Sequence, residues 1–191
     1  MAINPRVAMV AAWSVFAIVW IVSSFMAKRI AKREGGAGIA ARALIIAVAW
    51  ILIVSADDPR LGILAADFLP QSLRIAWLGA AMTFAGVLFA VWARVHIGRY
   101  WSATVALKDE HELIRSGPYA RIRHPIYTGM IFAIAGSAVV VGTYGALLAW
   151  AVIGVSFWFK GRQEEALLAS QFGKAFDEHR HHTGFFLPPL S

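Results

Sequence analysis

Apolar residues in this chain come in long unbroken runs, not in the short amphipathic periods of a water-soluble domain. The first run, residues 7–26, contains no charge, and the second occupies 39–56 with Arg42 near its start, where the side chain can snorkel to an interface. A third covers 75–95. Each comes close to the roughly 20 residues that a helix needs to cross a hydrocarbon layer about 30 Å thick. The stretch from Pro125 to Phe159 is too long for one ordinary span, and Gly142-Thr143-Tyr144-Gly145 interrupts it. It divides into helices over 125–141 and 143–159 joined by a tight turn, a helical hairpin near the C-terminus. From Lys160 the chain turns amphipathic, with Leu167, Leu168, Phe172 and Phe176 close to one face. The apolar tail from Phe185 to Leu190 is expected to pack on the protein or at the interface. The pattern predicts an all-α membrane protein, one domain over residues 1–191 with about five transmembrane helices.

Breaks between the runs support this division. The first run is too long for the core of a cleaved leader, and no small-residue cleavage site precedes the basic segment Lys28 to Arg33, so it reads as a membrane helix. Glu34 to Gly38 reads as a linker; its glycines follow a membrane helix and lack the spacing of a dinucleotide-binding turn. Asp57-Asp58-Pro59 ends the second run.

Composition narrows the chemistry. Hydrophobic residues make up 59% of the chain and charged ones 15%, so water is not its main solvent. The absence of cysteine removes disulfides, thiolate nucleophiles and Cys-ligated metals. A net charge of +7 could indicate nucleic acid, but the basic residues fall between apolar spans. Fifteen of the 18 Lys and Arg residues lie in 28–42, 94–124 and 160–191, against three before the first span and in 57–74. Under the positive-inside rule the N-terminus is outside, and the 96–124 segment and the C-terminus are cytoplasmic. The expected setting is a prokaryotic cell membrane, with lipid as the surroundings, no nucleic acid and no obligatory protein partner.

Two clusters carry candidate chemistry, both on the cytoplasmic side. The first runs from His111 to Tyr127, with Gly117-Pro118 as a turn and Pro125 suited to the first position of a helix. Free N–H groups of Tyr127 and Thr128, beside Arg123 and His124, would then form an anion site. Arg115 and Arg121 read more simply as contacts to lipid headgroups. A zinc helix at His111-Glu112 would need histidine at 115, where Arg115 stands, so no metal is expected. The second cluster is Arg162-Gln163-Glu164-Glu165. Neighbours on a helix lie about 100° apart, so Glu164 is expected to face a pocket and Glu165 to turn away into solvent. His179, His181 and His182 read as a solvated terminus.

In these residues the sequence resembles the isoprenylcysteine carboxyl methyltransferase and phospholipid methyltransferase superfamily of integral membrane enzymes. The resemblance rests on H-x-L-(I/V)-x-x-G-x-Y-x-x-x-R-H-P-x-Y-x-G, from His111 to Gly129, and on E-E-x-x-L-x-x-x-F-G, from Glu164 to Gly173. It covers roughly residues 75–190. It implies a cytoplasmic pocket for S-adenosyl-L-methionine within 104–191, held by His111, Glu112, Leu113, Ile114, Tyr119, His124, Pro125, Ile126, Tyr127 and Glu164. It also implies substrate contacts at Lys160, where members that methylate prenylcysteine carry arginine, and at Arg162. A glutamine that touches the cofactor in some members is Thr104 here. The implied activity is methyl transfer to a lipophilic substrate entering from the bilayer: the carboxylate of a prenylated cysteine, or a related isoprenoid or lipid acceptor. The sequence identifies no catalytic base. Membrane sterol-type reductases that use NADPH share the R-H-P-x-Y region, but Glu164-Glu165 favours methyl transfer over that reading and over a non-enzymatic membrane protein.

Overall fold

The computed structural model describes residues 4–25, 30–33, 36–56, 58–98, 101, 106–108 and 113–189. Five apolar helices form the bundle: α1 (Pro5–Ser24), α2 (Gly36–Val54), α3 (Leu73–Ile97), α4 (Pro125–Val141) and α5 (Tyr144–Phe172), followed by a short polar α6 (Lys174–His182). Three reach far enough to cross a membrane by length and composition, Pro5–Ser23, Leu73–Ile97 and Tyr144–Phe172. Ala43–Val54 and Pro125–Val141 are shorter apolar helices. Among the described residues an apolar helix stands at each of the five expected positions, three of them of spanning length. Gly36 to Gly38 belong to α2 rather than to a linker, and α5 runs unbroken through the whole acidic cluster.

Helix ends follow local chemistry. Asn4 caps α1 through a 2.9 Å bond from the Arg6 N–H, with Pro5 in the first turn. Gly142, in the left-handed conformation at φ 81°, ends α4, and Thr143 caps α5. The turn between the last two long helices therefore lies where the glycines place it.

The interior is built from small residues and the exterior from large ones, as expected where lipid replaces water. Val10, Ile18, Ile46, Ile51, Phe84 and Trp158 point outward. Between α3 and α4 the backbones nearly touch: a methyl group on Gly86 would lie 2.5 Å from the Ala133 nitrogen, and one on Gly129 would lie 2.6 Å from the Ala90 nitrogen. Thr83 and Ser137 lie in this seam, and the Trp13 indole N–H donates to Ser137 Oγ at 2.9 Å, tying α1 to α4.

A two-stranded antiparallel ribbon was not expected from the sequence. β1 (Ile30–Arg33) pairs with β2 (Ala106–Lys108), Arg33 opposite Ala106. The ribbon joins the α1–α2 and α3–α4 connections at one end of the bundle. At the other end Asp67 bridges Thr143. The basic segments thus share an end, as their charges require; it is called the basic end below.

Candidate functional site

Pro125 opens α4 at a position where its missing N–H costs nothing, and His124 precedes it as N-cap without a side-chain capping bond. The imidazole is therefore available to face α5. There Lys160, Gly161, Glu164 and Glu165 are presented toward the α4 entry. Gly161 makes the approach possible: a methyl group on it would lie 2.7 Å from the Phe185 ring and 3.2 Å from His124 Nε2.

Both glutamates face the same imidazole. Glu164 Oε2 lies 3.6 Å from His124 Nδ1, and Glu165 Oε1 lies 3.5 Å from Nε2. The Tyr127 hydroxyl donates to Glu164 Oε1 at 2.7 Å, and Lys160 Nζ stands 4.0 Å from the same oxygen. The imidazole stacks on Tyr127 at 5.4 Å and 9°, and Tyr127 stacks in turn on Phe157 at 4.9 Å and 11°. Lys160, 8% exposed, lies 5.3 Å from the Tyr127 ring. These groups provide two carboxylates, an ammonium and a flat aromatic wall in one place.

Glu165 does not turn away into solvent. It is 5% exposed and accepts from Arg123 Nε at 2.5 Å, while the side chain of Glu164 keeps 21% of its surface. A separation of 100° excludes two neighbours from one narrow pocket, but here the imidazole is inserted between them and each takes one edge. The expected anion site also changes. The Thr128 N–H already donates to the His124 carbonyl at 3.0 Å, and Arg123 is committed to Glu165 and to the Thr183 carbonyl. The cations at this helix entry are paired within the protein.

The C-terminal segment completes the enclosure. The Arg123 and His124 N–H groups donate to the carbonyls of Gly184 and Phe185 at 2.9 and 3.1 Å, and Thr128 Oγ1 donates to that of Phe186 at 2.6 Å. Phe185 packs 4.6 Å from the imidazole. Of the apolar tail expected to pack on the protein, Phe185 and Phe186 do so here, against the site, whereas Leu187, Pro188 and Pro189 are exposed. His179 is no solvated residue: it is buried, and burial, followed by the facing charges of Arg115 and Arg123, pushes its imidazole below the ordinary range. His181 and His182 are exposed.

Tyr119 is buried nearby, its hydroxyl reaching the Ala93 carbonyl at 3.4 Å. Burial and the charge of Glu164 push this phenol well above its ordinary range, with Arg94 opposing, so it stays a neutral donor. Leu113 and Ile114 are half-buried beside this turn, with Ile114 against the main apolar core. Pro125 and Ile126 are buried at the α4 entry. Arg162 is exposed, 4.0 Å from Glu165. Arg115 donates to the Ala175 carbonyl at 2.6 Å, and Arg121 is exposed. His111, Glu112 and Thr104 lie outside the described residues. Among the described residues no cluster could hold a metal ion.

Sequence reasoning missed Glu165, Thr183 and Arg94. Arg94 is 1% exposed within α3 and donates to the carbonyls of Ser23 and Gly98 at 2.7 and 2.8 Å, with Trp101 packed 4.3 Å away. A signal for Glu165 existed: Arg123-His124 and Glu164-Glu165 are adjacent pairs of opposite charge, and two such pairs can dock side by side. An apolar hollow of about 320 Å³ lies along the α3–α4 seam, lined by Gly86, Phe89, Thr128, Gly129 and Phe132.

Residues 78–170 match the family described as isoprenylcysteine carboxyl methyltransferase. The chain is 33% identical over 118 residues to a nickel-cobalt-cadmium resistance protein of Alcaligenes xylosoxydans xylosoxydans, covering 60% of this chain and 54% of that one. It is 32% identical over 91 residues to the protein-S-isoprenylcysteine O-methyltransferase of Schizosaccharomyces pombe, covering 46% and 39%. The chain spans about half the length of the curated relatives it matches. Among solved structures it resembles the eukaryotic intramembrane Ras methyltransferase, with a TM-score of 0.54 at 21% identity over 78% of this chain and 52% of that one, a likeness of fold.

Proposed function

We propose that this integral membrane chain, whose residues 78–170 match the isoprenylcysteine carboxyl methyltransferase family, is an S-adenosyl-L-methionine-dependent methyltransferase acting on a lipophilic acceptor held in the bilayer. The observation that carries this reading is the arrangement of Glu164, His124, Tyr127 and Lys160 around one point at the basic end.

The residues present fit such a cofactor. His124 is buried between the two carboxylates, with Nε2 3.5 Å from Glu165 and short of a formed hydrogen bond, and with Nδ1 3.6 Å from the more open Glu164, the side on which a ligand can complete the set. Glu164, the more open carboxylate, is suited to accept from an ammonium or a ribose hydroxyl. Bound there, the cofactor supplies a sulfonium methyl that is already electrophilic. The protein then has to align donor and acceptor and exclude water. Phe185 and the backbone bonds of 183–186 close one side, and the Tyr119 phenol remains an un-ionised donor.

Charge balance favours a carboxylate acceptor. Arg123 offsets Glu165, and Lys160 stands against Glu164, so a cationic donor is best accompanied by an anionic acceptor. A carboxylate is ionised at neutral pH and needs no base. Lys160 is the cation placed to receive it, as a point charge rather than the planar fork of arginine. The carboxylate of a prenylated cysteine is the acceptor of first choice, ahead of other isoprenoid or lipid acceptors.

The test is binding of radiolabelled S-adenosylmethionine against NADPH to the purified protein, followed by label transfer to a prenylated cysteine analogue or to a phospholipid amine. Saturable binding of the first cofactor and transfer to the carboxylate are expected. NADPH binding alone would replace the reading with a reductase, and label on the amine would move the acceptor class.

A further inference from the structure

A neutral imidazole donates through one ring nitrogen and accepts through the other, and its tautomer is set by the hydrogen bond that one nitrogen makes. His124 faces an acceptor at each edge, Glu164 Oε2 at Nδ1 and Glu165 Oε1 at Nε2. The two carboxylates are not equivalent. Glu164 is partly open and is engaged by Tyr127 and Lys160, whereas Glu165 is 5% exposed and fixed by Arg123. Arg123 in turn is anchored at the carbonyls of Thr183 and Arg180. Among the described residues the imidazole also has beside it the rings of Tyr127, Phe185 and Phe186 and the bare face of Gly161.

We infer that Glu165, held by Arg123, is a positioning residue that keeps the His124 proton on Nε2 and so turns Nδ1 into an acceptor beside Glu164. Nδ1 and Glu164 Oε2 then form a two-acceptor pair 3.6 Å apart, and two acceptors that close favour a ligand group rich in N–H donors, an ammonium above all. This specifies how the site recognises its cofactor, and it rests on the methyltransferase reading only in the affinity measurement below. A buried ion pair without such a role could be exchanged for apolar side chains of similar volume at little cost to function.

Histidine-selective ¹⁵N spectra of the full chain in detergent decide the tautomer with no ligand present. The His124 signal is identified by its loss in His124→Ala, at a pH where the ring is neutral. The Nε2–H pattern is expected in the wild type. In Arg123→Met/Glu165→Leu, which removes both charges together, the proton should move to Nδ1 and toward Glu164. Glu165→Gln, which keeps the shape, should mix the two forms. A wild-type Nδ1–H form, or an unchanged tautomer in the double variant, would overturn the inference.

Calorimetric titration of S-adenosylhomocysteine supplies the second measurement. The dissociation constant should rise at least tenfold in the double variant, with no further rise when the same changes are made in His124→Ala, because the effect passes through the imidazole. Losses that simply multiply would make the pair a structural element alone. Failure of the wild type to bind S-adenosylhomocysteine would defeat the cofactor reading, and the spectra would still decide the tautomer.

Discussion

Tyr127 donates its phenolic hydrogen to Glu164 Oε1 across 2.7 Å, linking the first turn of α4 to the acidic stretch of α5. The bond orients the more open of the two carboxylates, so the pair separates orientation from charge. Glu164→Gln removes the charge and is expected to weaken S-adenosylhomocysteine binding about ten- to a hundredfold, the equivalent of about 1.5–3 kcal/mol for a bond to a charged group. Tyr127→Phe keeps the charge and loses one orienting bond, and about a fivefold loss is expected. Calorimetric titration measures both; an equal or larger loss in Tyr127→Phe would make the phenol the main ligand.

The seam between α3 and α4 makes a prediction about stability. A methyl group at Gly86 or Gly129 would meet backbone atoms of the opposing helix, which cannot rotate aside as a side chain would. Gly86→Ala and Gly129→Ala should each destabilise the bundle by about 1–3 kcal/mol. Gly154→Ala, where nothing lies within 4 Å of the added methyl group, should leave thermal unfolding in detergent unchanged.

Orientation in the membrane can be read by labelling, because the chain has no cysteine of its own. Ser116 is exposed at the basic end, while Arg60 is exposed on the connection that reaches the opposite end. Cysteine at 116 is expected to react only from the cytoplasmic side, and cysteine at 60 only from outside. The reverse pattern would invert the topology.

The lowered protonation range of His179 links stability to acidity. Its imidazole stays neutral in the fold at pH values where the unfolded chain, with an ordinary value near 6.5, binds a proton. Unfolding therefore takes up protons, so stability is full above about pH 6.5 and falls as pH drops through that value. His179→Gln cannot take up that proton. Its melting temperature should vary less between neutral and mildly acidic pH than that of the wild type, and an identical pH slope in the two proteins would remove His179 as the cause.

The bundle was legible because its physics is one-dimensional: long apolar runs with few charges, glycines at 142 and 145, and a proline at 125 mark the helices without knowledge of their neighbours. The relation between Glu164 and Glu165 was not legible in that way. Helical geometry correctly set them apart, but only tertiary packing reveals that His124 comes between them, and that Arg123 makes the buried side habitable for a carboxylate. The β1–β2 ribbon was hidden for a similar reason. Ile30, Lys32 and Arg33 pair with Lys108, Leu107 and Ala106, more than 70 positions away, and no local period announces the match.

The unbroken course of α5 sets a depth. Lys160 and Glu165 stand 16 and 21 residues beyond Tyr144, which at 1.5 Å per residue is about 24 and 32 Å along the axis. A hydrocarbon layer of about 30 Å with Tyr144 at one margin ends at the level of this charged cluster. An amphiphile anchored by its tail would already carry its head at that height and would need only lateral diffusion to arrive. Because the helix is a single rod, a thicker or thinner bilayer would displace the cluster from that margin, and for the lipophilic acceptor proposed above membrane thickness would then govern access.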